Sequence, residues 1–152
     1  MTTTVHGLAE LKTLVGRDLG HSEWFEIDQS RVDAFANATN DRQWIHVDPE
    51  RARSGPFGGA IAHGFLTLSL LIPLWNEMVT VEGVATAVNY GLNKVRFPSP
   101  VPVGSKIRAA ASLASVEDVP GNGVQAVIDF VVERDGSEKP CCVAQAVHRY
   151  YA

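Results

Sequence analysis

Gly64-Phe65-Leu66-Thr67-Leu68-Ser69-Leu70-Leu71-Ile72-Pro73-Leu74-Trp75-Asn76-Glu77-Met78 decides the architecture of this chain. Its large apolar residues fall on nearly every side of a helix, and a helix apolar all round is buried all round. The spacing therefore predicts a central helix from Gly64 to about Met78. Pro73 lies within it, and a mid-helix proline costs about 3 kcal/mol. A kink is expected there, or a helix whose regular part ends just before it. Thr67, Ser69 and Pro73 interrupt the run, which is too short to span a bilayer.

A helix of this kind needs a sheet to cover it. Val84–Phe97, Ser105–Val116, Val124–Glu133 and Lys139–Tyr151 are rich in Val, Ala, Ile and aromatic residues. Turn chemistry separates them at Pro98–Gly104, at Pro120-Gly121-Asn122-Gly123 and at Asp135-Gly136. These segments predict four long strands in antiparallel succession. His21–Ile27, with Trp24 and Phe25, reads as an additional edge strand. Gly7–Val15 reads as a short helix with Leu8, Leu11 and Val15 on one side. Asp28 fits an N-cap before Val32, Phe35 and Ala36, and that helix should fade near Thr39-Asn40. Asp48-Pro49 opens a further short helix through Arg53. Ser54-Gly55-Pro56-Phe57-Gly58-Gly59 is loop. The class is α+β: an antiparallel curved sheet wrapped around a long central helix, in a single domain over residues 1–152.

A formal net charge of −4 and 20% charged residues argue against a nucleic-acid partner, which needs a basic face. Cys141 and Cys142 are adjacent, so in a strand they point to opposite faces and do not pair with each other. The N-terminus shows no signal peptide. Together these features predict a soluble cytoplasmic enzyme or binding protein, with no membrane partner. No nucleotide or flavin motif is present, and the His46, Asp48 and His63 spacing matches no common metal site. No cofactor and no metal are expected.

The chemistry gathers at Asp41-Arg42-Gln43-Trp44-Ile45-His46, where a carboxylate and an imidazole lie five residues apart. Histidine suits a general base because its reference pKa lies near 6.5, and a nearby carboxylate can orient water or deliver a proton. The bland alternative makes Asp41 a turn residue and His46 a packed side chain beside Trp44. Ala62-His63-Gly64-Phe65 starts the central helix, where backbone N–H groups have no internal partner. Glycine at that start allows a ligand to approach closely. His63 either lines the pocket or packs and caps the helix, and the second is favoured; Phe65 is the other candidate substrate contact. Gly58 and Gly59 read as loop geometry.

The stretch Thr39–Ala52 resembles the hydratase signature of the MaoC-like (R)-specific enoyl-CoA hydratases, a family that includes nodulation-protein-N-like chains. Ala62–Phe65, Tyr90–Pro98 and Val101–Ser105 resemble that family's helix start, long strand and following turn. Two positions depart from the common pattern: Gln43-Trp44 stands where Asn-Pro is usual, and Asn40 where Gly is usual. The resemblance implies the hot-dog fold. It also implies reversible syn addition of water to a trans-2-enoyl-CoA, giving the (R)-3-hydroxyacyl-CoA, as a hydro-lyase step in fatty acid metabolism. Asp41 and His46 would be the catalytic pair, and the Gly64 N–H the oxyanion donor. The family also implies a homodimer, since open sheet edges need cover. For the phosphates of an acyl-CoA partner, Arg51, Arg53, Lys94, Arg96, Lys106 and Arg108 are all candidates. Two rival functions share the fold: an acyl-CoA thioesterase using a carboxylate on or near the central helix, and a non-catalytic acyl-thioester-binding subunit.

Overall fold

The computed structural model describes residues 2–152; Met1, part of the expected 1–152 unit, lies outside them. Strand β1 is Thr3–His6, followed by helix α1, Leu8–Leu11, and a 3-10 turn over Lys12–Leu14. The two-residue strand β2, Phe25–Glu26, precedes helix α2, Gln29–Thr39. Short helices α3, Trp44–Val47, and α4, Pro49–Arg53, then lead to α5, Gly64–Ser69, and α6, Leu71–Met78. The second half is β3, Val79–Glu82; β4, Thr86–Arg96; β5, Lys106–Val119; β6, Gly123–Arg134; and β7, Cys142–Tyr151.

A five-stranded antiparallel sheet in the order β2-β5-β6-β7-β4 wraps the α5–α6 helix. Alternation sets its inner face. Ala109, Ala111 and Leu113 of β5, Ala126, Ile128, Phe130 and Val132 of β6, and Ala144, Ala146 and Tyr150 of β7 are all buried. A bulge between Leu113 and Ser115 shifts the β5–β6 register and bends the sheet around the helix. At the centre, Trp75 is fully buried, meets Phe130 edge-on at 6.0 Å, and donates its Nε1–H to the Tyr150 hydroxyl at 2.7 Å.

Several expectations need correction. The central helix is interrupted at Leu70, three residues before Pro73, because proline has no N–H to offer the Ser69 carbonyl. Nor is it buried all round: Leu66, Thr67, Leu71, Leu74 and Trp75 are buried, whereas Phe65 is 68% exposed and Leu68 and Ile72 are half-buried. The early edge strand shrinks to two residues because the Ser22 hydroxyl accepts from Ala109 N–H, taking a place in the ladder. Leu14, rather than Val15, packs inward after α1, since the 3-10 turn shifts the helical phase. The four long strands are antiparallel but not in simple succession: β5, β6 and β7 form a meander, and β4 pairs with β7 at the far edge. Lys94 and Arg96 are thus separated from Lys106 and Arg108 by two strands. β1 and β3 form a small parallel pair that the sequence reading did not find; four-residue, threonine-bearing segments carry too little alternation.

Among the described residues no helix is long and apolar enough to cross a membrane, and Cys141 and Cys142 are both buried free thiols.

Tyr150→Phe would leave the buried Trp75 N–H without its acceptor. It should lower unfolding stability by about 1–3 kcal/mol, read as a lower urea midpoint with an unchanged slope.

Candidate active site

Asp28 caps α2 by accepting from Arg31 N–H at 2.8 Å, and the helix ends at Asn40 with φ 62° and ψ 15°. That left-handed turn suits glycine, and asparagine tolerates it better than other side chains. Asn40 can therefore replace the more common glycine and still turn the chain so that Asp41 faces back. Gln43 precedes α3 in an extended conformation, and Trp44 takes the first helical position, where proline is otherwise favoured. The indole lies against Gly55, where a Cβ would come within 2.9 Å of it, and Arg51 stacks on the indole at 4.3 Å. Trp44 thus ties α3 to α4 and the following loop by packing.

His46 lies in α3 and is only 7% exposed. Its Nδ1 is 2.6 Å from the Ile61 carbonyl oxygen. A carbonyl can only accept, so Nδ1 carries the hydrogen and Nε2 presents a lone pair. The His46 carbonyl accepts from Gln29 Nε2 at 2.8 Å, and the same amide reaches Asp33 at 2.9 Å. Burial holds the imidazole below its ordinary pKa of 6.5. The Ile61 hydrogen bond opposes this, the His63 ring adds to it, and the Asp41 carboxylate opposes it. Burial wins because it removes the water that would solvate the cation.

His63 precedes α5 and is 2% exposed. The expected capping role fails, since the side chain makes no cap hydrogen bond. Instead its Nε2–H donates to the Asp41 carbonyl at 2.8 Å, and its ring stacks on His46 at 3.8 Å with a 22° tilt. The expected packing role holds: Phe35 covers the ring at 4.9 Å. His63 Nδ1 is buried without a partner. The Gly64 N–H likewise donates to no group among the described residues, while the helix bonds begin at Leu66 and Thr67, both to the His63 carbonyl.

The structure brings together all five residues singled out in the sequence. Asp41, His46, His63, Gly64 and Phe65, with Phe97, line one cleft of about 240 Å³. Asp41 is exposed at its mouth, and one ligating atom each of Asp41, His46 and His63 lies within 4.8 Å of the others. Such a grouping can be read as a metal centre. The hydrogen bonds of His46 Nδ1 and His63 Nε2 to carbonyl oxygens leave each ring one lone pair, which can accept a proton. Sequence reasoning missed Gln29, Phe35 and Phe97. Phe97 packs on Gly64, where a Cβ would sit 3.0 Å from its ring. None of the three lies in a recognisable spacing with Asp41 and His46, so only the fold reveals them.

The model of the MaoC-like domain matches residues 10–133. The chain is 56% identical over 149 residues to 3-hydroxyacyl-thioester dehydratase Z of Mycobacterium tuberculosis (strain ATCC 25618 / H37Rv), covering 98% of this chain and 99% of that one. It is 42% identical over 139 residues to Nodulation protein N of Rhizobium leguminosarum bv. viciae, covering 90% and 86%. Among solved structures, the unliganded R-hydratase PhaJ1 of Pseudomonas aeruginosa superposes with a TM-score of 0.74 at 23% identity, covering 95% of this chain and 85% of that one, a likeness of fold. The early resemblance, resting on Thr39–Ala52 and three later segments, thus holds over nearly the whole length: the chain belongs to the MaoC-like dehydratase domain family and has its hot-dog fold.

Proposed function

We propose that this member of a hydro-lyase family is an (R)-specific enoyl-CoA hydratase. It interconverts a trans-2-enoyl-CoA and the (R)-3-hydroxyacyl-CoA without a metal. One observation carries the reading: an imidazole with a free Nε2, a carboxylate and an unpartnered backbone N–H share one cleft. In the hydration direction His46 Nε2 takes a proton from water as its oxygen bonds to C3. Asp41 assists delivery of a proton to C2. The Gly64 N–H holds the enolate-like oxygen between these events, a kind of contact worth about 3 kcal/mol in related chemistry. The (R) outcome and the CoA thioester come from the family resemblance. The name of the mycobacterial relative, a 3-hydroxyacyl-thioester dehydratase, supports the dehydration–hydration chemistry and a thioester, not the hand of the product or the CoA carrier.

Hydrolysis is less well supported. A thioesterase of the expected kind needs a carboxylate on or near the central helix; Asp41, at its start, shares its cleft with His46 as hydration requires, and the only carboxylate on the helix from Gly64 to Met78 is Glu77, near its far end. That side chain accepts from the Glu23 N–H at 3.0 Å. A non-catalytic subunit is disfavoured because Asp41 and His46 both stand in this chain, at one cleft.

The working unit of this reading is a homodimer. β4 is the long outer edge of the sheet and exposes Val88, Tyr90 and Leu92. An open edge bearing apolar side chains invites pairing with a second strand, and β4 of another copy supplies one of matched length. Light scattering at micromolar concentration should report twice the chain mass of 16.4 kDa; a monomer would count against this assembly.

Asp41→Asn and His46→Gln should each lower kcat for crotonyl-CoA hydration by about 100- to 10,000-fold while leaving the far-UV spectrum intact. Retention of full activity by either variant would remove that residue from the mechanism. Because burial lowers the His46 pKa, its neutral base form persists below pH 6.5. The acid limb of kcat/KM should therefore lie below pH 6.5, with activity rising through it and holding at pH 7. The same displacement means the folded chain binds fewer protons than the unfolded one in that window. Its stabilising effect is present above pH 6.5 and is lost as pH falls through the folded value. Measured pH–rate profiles check the first point, and melting temperatures of wild type and His46→Gln check the second.

A further inference from the structure

A second cavity, of about 290 Å³, lies between the central helix and the β4 edge. Leu68, Ser69, Leu71 and Ile72 form its helix wall, and Leu92, Gly91 and Asn89 its strand wall. Ala146 leaves it room, and His148 lines it from the inner face of β7. Phe65, Leu68, Ser69 and Ile72 recur at helical spacing, so they share one face. Phe65 reaches the catalytic cleft and the other three reach this cavity. At 1.5 Å per residue, Ser69 stands about 7.5 Å beyond Gly64 along the axis, the scale of a short acyl chain.

His148 is out of place in such a wall. It is 6% exposed, yet neither ring nitrogen is among the sealed-off polar atoms without a partner, so the ring is open to whatever fills the cavity. Its β-ladder neighbours across the sheet are Asn89 and Ala126, and the nearest aromatic ring is Tyr150 at 6.4 Å. Burial lowers its pKa from 6.5, so at pH 7 the ring is neutral, with one donor and one acceptor nitrogen. This ring faces a cavity rather than packed side chains, so it can offer both nitrogens to an occupant. Asn89, opposite in the ladder, adds an amide to the same wall. Ser69 already donates its hydroxyl to the Phe65 carbonyl at 2.8 Å and can only accept.

We infer that His148, with Asn89, is a specificity-determining hydrogen-bonding site for a neutral oxygen on the far end of the acyl chain. The preferred substrates are then acyl thioesters carrying a terminal hydroxyl or carbonyl rather than a plain alkyl end. This rests on the hydratase reading for the position of the thioester at Gly64. The occupant is neutral because no cationic side chain lines the cavity to pair with a carboxylate.

The experiment compares trans-2-hexenoyl-CoA with its terminal-hydroxyl counterpart. Wild type should favour the hydroxylated substrate in kcat/KM by roughly tenfold or more, since a methyl end leaves the imidazole unpaired. His148→Leu should reverse the order, gaining on the methyl-ended substrate and losing on the hydroxylated one. His148→Gln, which keeps a donor and an acceptor, should retain the wild-type order even if the leucine variant folds poorly. Calorimetry with the saturated pair, hexanoyl-CoA and its terminal-hydroxyl form, reads the same preference without turnover. Absence of hydration with that binding preference intact would sink the hydratase reading and uphold the His148 site. Equal or better binding and turnover of the methyl-ended partner, unchanged in His148→Leu, would overturn the site while leaving hydration standing.

Discussion

Three residues, Ala60-Ile61-Ala62, hold the site to the sheet. Ile61 N–H donates to the Ile45 carbonyl at 3.0 Å, and the Ile61 carbonyl accepts from His46 Nδ1 at 2.6 Å. On the other side, Ala62 N–H donates to Val101 and Val103 N–H donates to Ala60, at 2.8 and 2.9 Å. All three side chains are buried. In such a place backbone polar groups need partners, and four of the six here join the Asp41–His46 turn to the strand connection Phe97–Ser105. The ribbon then runs directly into His63 and Gly64. One short stretch of backbone therefore fixes the tautomer of His46, the position of the Gly64 amide and the distance between them.

The same constraint explains why both departures from the common motif are tolerated. Proline before the histidine would supply a preset φ at the first turn of α3. Trp44 supplies anchorage instead, wedged on Gly55 and covered by Arg51. Glycine before the acid would supply freedom to adopt a left-handed turn, and Asn40 adopts it at φ 62°. In both cases the backbone path is kept by different chemistry, and the hydrogen bonds around Ile61 depend on that path more than on residue identity.

Much of the fold was legible because its signals are local. Asp28 and Asp48 cap the helices they were expected to cap, and the glycine-rich turns fall between the strands as read. The position of β4 was not legible: nothing in Thr86–Arg96 itself says that it pairs with β7 rather than β5, because ladder partners are chosen by the whole sheet. At the site, Asp41, His46 and Gly64 were visible because they sit in a spaced motif. Gln29, Phe35 and Phe97 were not, because their roles come from three separate segments converging. The stacking of His63 on His46 was hidden for the same reason, since seventeen residues separate them in sequence.

The most informative error concerned the central helix. Its composition implied burial on every side, yet Phe65, Leu68 and Ile72 form a stripe that the sheet leaves partly open. Apolar surface left in water forgoes about 25 cal/mol for each Å², so the exposed parts of these large side chains add nothing to the stability of the lone chain. Local rules tend to fail where function competes with folding. The stripe begins at the Gly64 amide and passes the second cavity, and β4, which flanks it, also keeps Leu92 exposed. An apolar acyl chain laid along this stripe, with a second copy against β4, would complete the burial that composition implied and the lone chain does not achieve.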